Sequence, residues 1–317
     1  MIPWNPKVKL IISDVDETLA DIYQPIDSTL ALSLNNLLDS GLSLFLVSGG
    51  GLKRVENDIV GAIDPSLRYR LLLSHCNSSE IWGYKKNGKR KEQPYFSLAK
   101  KVLTNDQHHV WRETMTEVIR TLQLKTYPAM PISEFKKLAG DDPLSIIYDD
   151  RGVQITLEVI NGYQLTIKQA DKLAIAKESD TYDLRKKIMR VAQTKFEKYG
   201  LPIASHPAGV FAINFTLGEV NKGDSISFLL KNKHLLSNIG LRPEALDHPE
   251  YLEIWGDKFS TKSGKNDWCL SAQLDPKVRS ISFREENPGE FLPGYNVVIW
   301  NGKKHLHWGL LEYLQSR

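Results

Sequence analysis

The sequence predicts an α/β protein: a doubly wound, Rossmann-like parallel-sheet core interrupted by an inserted α+β cap domain. Three observations predict it. Short apolar runs alternate with amphipathic stretches at both ends of the chain. Those runs stop abruptly at acidic or hydroxyl residues, and the middle of the chain changes to grouped strands and helices.

"VKLIIS" (8–13) reads as a strand buried on both faces, bounded by Asp14 and Asp16 with Thr18 just beyond. Asp27 or Ser28 can cap a helix that carries Leu30, Leu34, Leu37 and Leu38, with Gly41 just past its end. "LSLFLVS" (42–48) is a second strand, ending in Gly49, Gly50 and Gly51 before a helical stretch from Leu52. "RLLLSH" (70–75) is a third. Strand and helix in strict alternation favour a parallel sheet.

The pattern then shifts. "EIWGYKKNGK" suits a hairpin turning at Asn87-Gly88. Val110, Trp111, Met115, Val118, Ile119 and Leu122 form one helix face, and Leu184, Ile188, Val191 and Tyr199 another. "LSIIYDD", "VQITLEVI" and "YQLTIKQA" are strand-like. Buried-strand patterns return at 251–257, 279–283 and 296–300, with a closing helix over "HLHWGLLEYL". The expected core is therefore 1–83 and 206–317, and the expected cap 84–205.

Composition narrows the function. A net charge of +3 is too small to argue for nucleic acid, and "KKNGKRK" lacks the interleaved aromatics of a strand-binding surface. No apolar run is long enough to span a membrane, and no secretory leader pattern is present. Cys76 and Cys269 make no disulfide framework or zinc spacing. A cytoplasmic setting is expected. "GGGLK" and "SGKND" both lack the Gly-Lys-Ser/Thr ending of a nucleotide-binding loop. His206 reads as a loop residue, His305 and His307 as surface or capping residues, and Trp111, Met115 and Cys269 as packing.

Ligands of an open parallel sheet bind beyond the carboxyl ends of its strands. Those ends carry Asp14 and Asp16, then Ser48 with Gly49 and Gly50, then Asp257 in "IWGDKFSTKSGKND", followed by Asn266 and Asp267. "EVNKGDSISFLL" places Lys222 at a helix start. Two carboxylates held close repel, so Asp14 and Asp16 are either a solvated strand-to-turn cap or have something cationic and something reactive between them. The inventory suits phosphoryl transfer. Clustered carboxylates hold Mg²⁺, Asp14 can act as nucleophile, and Asp16 can pass a proton to the leaving alcohol and take one from water. Ser48 and the amides after it can hold phosphoryl oxygens, and Lys222 adds a compact positive charge. The metal set is expected to be Asp14, Asp16 and Asp257, with Asp267 or Asn266 completing it.

"DVDETL", "LFLVSG", "NKGDS" and "WGDKFSTKSGKND", in that order, resemble the four motifs of the haloacid dehalogenase superfamily of phosphatases and phosphomutases. The interval from Ser48 to Lys222 is similar to that of members with a large cap between the second and third motifs. The fourth motif is most similar to that of eukaryotic-type phosphomannomutases. Glu17 stands where sugar-phosphate members usually have Gly, Phe259 replaces a Thr, and Asp257 and Asp267 lie farther apart than in the phosphomannomutases. The resemblance implies a Mg²⁺-dependent phosphatase acting through an aspartyl-phosphate on a small phosphorylated metabolite, a sugar phosphate first among them. It also implies a cap that closes over the site and selects the leaving group. A phosphomutase, or a non-catalytic sugar-phosphate-binding protein, stays open at this point.

Overall fold

The computed structural model describes residues 2–177, 181–218, 220–264 and 266–317. Its elements in chain order begin with β1 (Leu10–Asp14), α1 (Ser28–Asp39), β2 (Ser43–Val47), α2 (Leu52–Asp58), β3 (Leu71–His75), β4 (Glu80–Gly83) and β5 (Phe96–Ser97). The middle of the chain forms α3 (Leu98–Val102), α4 (Asn105–Thr121), β6 (Lys125–Tyr127), α5 (Ile132–Ala139), β7 (Ser145–Asp150) and β8 (Gln154–Glu158). It continues with α6 (Ile167–Lys172), α7 (Leu184–Lys198), β9 (Ile203–Ala208) and β10 (Ala212–Leu217). The chain then closes with α8 (Gly223–Lys231), β11 (Leu252–Gly256), α9 (Trp268–Ser271), β12 (Arg279–Ser282), β13 (Val297–Ile299) and α10 (Leu306–Gln315).

The chain up to Phe96 and again from Val220 forms one unit, around an eight-stranded sheet ordered β13-β12-β11-β1-β2-β3-β4-β5. β1 lies between β2 and β11, parallel to both, with Asp14 opposite Val47 and Ser13 opposite Trp255. β3, β12 and β13 continue the parallel ladder, and β4 turns antiparallel beside β3. Alternate residues of β1 feed two cores. Ile11 packs with the leucines of α1 and with Leu310 and Leu314 of α10, while Leu10 and Ile12 pack with Ile226 and Leu229 of α8. This two-sided burial explains the unbroken apolar run.

Asp27 rather than Ser28 caps α1: its Oδ1 accepts from the backbone N–H groups of Thr29 (2.8 Å) and Leu30 (3.2 Å). Leu30, Leu34, Leu37 and Leu38 are buried, each contributing about 1.5–3 kcal/mol relative to exposure. Gly41 ends the helix in the left-handed region, φ 100°.

The second unit begins at Ser97 and extends to the return of the core. Its five-stranded sheet is ordered β6-β7-β8-β10-β9, with β6 and β7 parallel and the other pairs antiparallel. Trp111, Met115 and Val118 of α4 are buried, as are Ile188, Ala192 and Phe196 of α7. Phe196 meets Phe215 of β10 edge-on at 5.8 Å.

Several expectations are corrected. The units meet in sequence at 96/97 and 219/220 rather than near 84 and 206. β4 stays in the core sheet and the Asn87-Gly88 turn returns beside it, through the Tyr84–Arg90 bridge. β9 and β10 belong to the second sheet, so His206 lies on a strand, not in a loop. "YQLTIKQA" contains a helix start: Thr166 and Gln169 form a reciprocal capping box that opens α6. The buried stripe of α7 steps by four from Leu184, which leaves Tyr199 exposed beyond its end. His307 is buried, 3.4 Å from Asp21, rather than at the surface.

Candidate active site

The parallel order β11-β1-β2 brings the carboxyl ends of three strands side by side. β1 ends at Asp14, β2 is followed by Ser48, and β11 is followed by Asp257. Lys222 precedes α8 as its N-cap residue. Asp14, Lys222, Asp257 and Asp267 are all buried.

Lys222 Nζ donates to Asp14 Oδ1 at 2.6 Å and to Asp267 Oδ1 at 2.7 Å. Burial alone would strip its charge, and the two carboxylates outweigh that and hold the ammonium firmly protonated. Asp267 Oδ2 accepts from the backbone N–H groups of Asp257 (2.9 Å) and Lys258 (3.0 Å), which locks the loop after β11. Gly256 makes room for this: a Cβ there would lie 2.6 Å from Asp267 Oδ2.

One carboxylate oxygen from each of Asp14, Asp257 and Asp267 lies within 4.8 Å of the others. Burial first, and then the neighbouring carboxylates, push Asp14 well above its usual range against the pull of Lys222. Burial and Asp267 push Asp257 up to about 6. A single lysine inside the group does not offset three acids. An all-oxygen, acid-rich donor set of this kind fits a hard divalent cation, whose charge would keep the three ionised.

Asp16, expected among the metal ligands, lies outside that group. Its carboxylate is forked by Arg54, with Nη1 to Oδ1 and Nη2 to Oδ2 both at 2.7 Å, and Ser48 Oγ is 3.5 Å from Oδ2. Gly50 admits this guanidinium, since a Cβ there would sit 2.2 Å from Arg54 Nη2. Ser48 is buried, and its Oγ accepts from the Gly50 N–H at 2.9 Å, closing a tight turn. Asn266 is also outside the group: its side chain donates to the Ser263 carbonyl.

The segment after β3 braces the site. Cys76, Asn77 and Ser78 all take positive φ (49°, 52° and 75°). The Cys76 N–H reaches the Gly50 carbonyl at 3.0 Å, the Asn77 N–H reaches the Ser48 carbonyl at 3.1 Å, and Ser78 Oγ reaches the Lys222 carbonyl at 3.1 Å. Three non-glycine residues in succession in the left-handed region cost roughly 1–2 kcal/mol each, offset here by hydrogen bonds to both the Ser48 turn and the lysine.

Sequence reasoning missed Arg54, Lys258 and Arg284. Arg284 donates to Asp257 Oδ2 through Nε (3.0 Å) and Nη2 (2.7 Å), and Lys258 Nζ lies 3.5 Å from the same oxygen. Lys258 directly follows Asp257, and Arg284 follows the buried run of β12. That is the signal, a polar residue beyond a strand's carboxyl end, that singled out Asp257. Arg54 carried only its place in the first turn of α2.

No protein-family model matches the sequence, and no curated protein sequence does. Solved structures do match in fold. A haloacid dehalogenase-like hydrolase from Bacteroides thetaiotaomicron aligns at TM-score 0.55 and 15% identity over 97% of this chain and 98% of its own. The C-terminal domain of C. albicans trehalose-6-phosphate phosphatase aligns at TM-score 0.56 and 14% identity, over 97% of this chain and 91% of its own. The chain has the haloacid dehalogenase-like fold. No helix among the described residues is long and apolar enough to cross a membrane.

Proposed function

We propose that the chain is a Mg²⁺-dependent phosphatase that hydrolyses a small phosphorylated metabolite, a sugar phosphate, with Asp14 as the nucleophile. The observation that carries this reading is the buried group of Asp14, Lys222, Asp257 and Asp267 at the ends of β1 and β11. Three buried carboxylates share one buried lysine, and the other cations beside them, Lys258 and Arg284, are partly exposed, an arrangement that supports binding of a further cation. Asp14, Asp257 and Asp267 would hold Mg²⁺, which when bound neutralises phosphoryl oxygens and keeps these acids ionised.

Asp14 then attacks phosphorus, forming a carboxylate–phosphorus bond as the ester oxygen leaves. Asp16 gives its proton to that oxygen. In the second half, Asp16 takes a proton from water, the resulting hydroxide attacks phosphorus, and inorganic phosphate departs with Asp14 restored. Arg54 holds both oxygens of Asp16, so the fork must open for Asp16 to reach the leaving oxygen. The turn of Ser48, Gly49 and Gly50 and the Lys222 ammonium bind the phosphoryl oxygens. The inserted unit would supply selection among leaving groups.

The test is inorganic phosphate release over sugar, polyol and nucleotide monophosphates, with Mg²⁺ and then with a chelator, and with Asp14→Asn as control. Release confined to sugar phosphates and abolished in both controls is the expected result. Release that survives Asp14→Asn would remove the proposed nucleophile. Isomerised sugar phosphate without phosphate release would replace hydrolysis by a mutase.

A further inference from the structure

Three charged residues at the edge of the acid cluster have no part in the phosphoryl-transfer scheme. Glu17 Oε2 accepts from Lys258 Nζ at 2.9 Å and from Arg284 Nη2 at 2.7 Å, so an ammonium and a guanidinium converge on one oxygen. The Lys258 and Arg284 side chains are 38% and 36% exposed and that of Glu17 22%, against 1% for Asp257. A dissolved anion can therefore reach these cations directly. Arg284 is also gripped from behind, by its two bonds to Asp257, which orients its outer edge without using it up.

Glu17 adds an independent observation. Its φ is 63°, in the left-handed region that glycine favours. A non-glycine residue held there, one position after Asp16, needs a reason, and its carboxylate is the feature a glycine would lack.

We infer that Lys258 and Arg284 form an anion subsite in which the Glu17 carboxylate occupies the position of a second anionic group of the substrate. The inference rests on the phosphatase reading and sharpens its substrate class to a sugar phosphate carrying another anion, a sugar-acid carboxylate or a second phosphate. Magnitudes favour the exchange. Partly exposed ion pairs contribute little, so Glu17 leaves at little cost and swings into water. An incoming anion meets a planar guanidinium beside an ammonium, a combination suited to bidentate, charge-assisted hydrogen bonds. Lys222 is not counted here, because the scheme above assigns its ammonium, bound to Asp14 and Asp267, to the reacting phosphoryl group.

The test uses a matched pair of ligands, glucose 6-phosphate and 6-phosphogluconate, titrated calorimetrically into the full-length Asp14→Asn protein with Mg²⁺ present. Binding to this variant does not depend on turnover, whereas the phosphatase reading stands or falls on phosphate release by the wild-type protein, so the two failures are distinguishable. The expected result is tighter binding of 6-phosphogluconate, by about tenfold, the equivalent of one good charge-assisted contact. Adding Lys258→Met or Arg284→Met should bring the ratio toward one, and adding Glu17→Gln should widen it. If Arg284→Met does not fold, Lys258→Met and Glu17→Gln carry the test. A ratio near one in the Asp14→Asn protein, or a ratio that none of these substitutions moves, would overturn the subsite.

Discussion

The buried cluster and its rim use the same chemistry to opposite ends. Lys222 and its two carboxylates are sealed from water, whereas Lys258, Arg284 and Glu17 are partly bathed in it. Sealed charges depend on one another, because an ion left unpaired in a low-dielectric interior costs several kcal/mol. Rim charges are nearly free to change partners. The difference teaches where fixed geometry and exchangeable binding can coexist a few ångströms apart: reaction needs the first, recognition the second.

The largest expected effect is at the sealed cation. Lys222→Met leaves Asp14 and Asp267 without their shared partner, and loss of one member of a buried pair costs about 3–5 kcal/mol. Urea unfolding without metal should read that loss, while phosphate release falls by about 10²–10³, the scale of losing one charge-stabilising donor. A stability loss under about 1 kcal/mol would put Lys222 in the same class as the rim cations and end the contrast.

A second buried pair extends the comparison outside the cluster. His75 Nε2 lies 3.1 Å from Glu80 Oε2, which also accepts from Trp82 Nε1 at 2.9 Å, and His75 Nδ1 is 3.2 Å from Cys76 Sγ. Burial opposes the imidazolium, but Cys76 and Glu80 outweigh it and push the pKa up to about 9 from 6.5. A raised histidine pKa means that the folded state binds the proton more tightly. The stabilisation is complete below pH 6.5 and is lost as pH rises through 9, by up to roughly 3 kcal/mol. Urea unfolding at pH 6, 7.5 and 9.5 should show that decline in the wild-type protein and a flatter profile in His75→Gln. Equal slopes in both would assign the dependence to other groups.

The contrast also separates what was legible in the sequence. Asp14, Ser48, Lys222, Asp257 and Asp267 could be located because each follows a buried strand or opens a helix, and strand ends in a parallel sheet converge. Their partners could not be read in the same way. Arg54 reaches Asp16 only because Gly50 leaves space for it, and the Cys76–Ser78 brace depends on positive φ at residues that do not announce it. In the second unit the errors were local. Thr166 and Gln169 formed a capping box inside a run with strand-like residues, and β9 was hidden by Pro207 and its neighbours. An apolar period says which face is buried, whereas a side chain's partner depends on contacts far away in sequence.

The smallest expected effect, at Glu17, divides backbone from side chain. Glu17→Ala loses the rim ion pairs and keeps the left-handed backbone, whereas Glu17→Gly loses the same pairs and accepts φ 63° without steric cost. Because the lost contacts are common to both, the difference between the variants isolates the conformational term. Glu17→Gly should be the more stable of the two by about 1 kcal/mol, less the larger chain entropy that glycine brings to the unfolded state. It should lie within about 1 kcal/mol of the wild-type protein, since the pairs it gives up are partly exposed. Urea unfolding of the three proteins in parallel measures this. Glu17→Gly below Glu17→Ala would mean that the residue is unstrained, and the backbone argument for an anion-mimicking carboxylate would fall while the convergence of Lys258 and Arg284 remained.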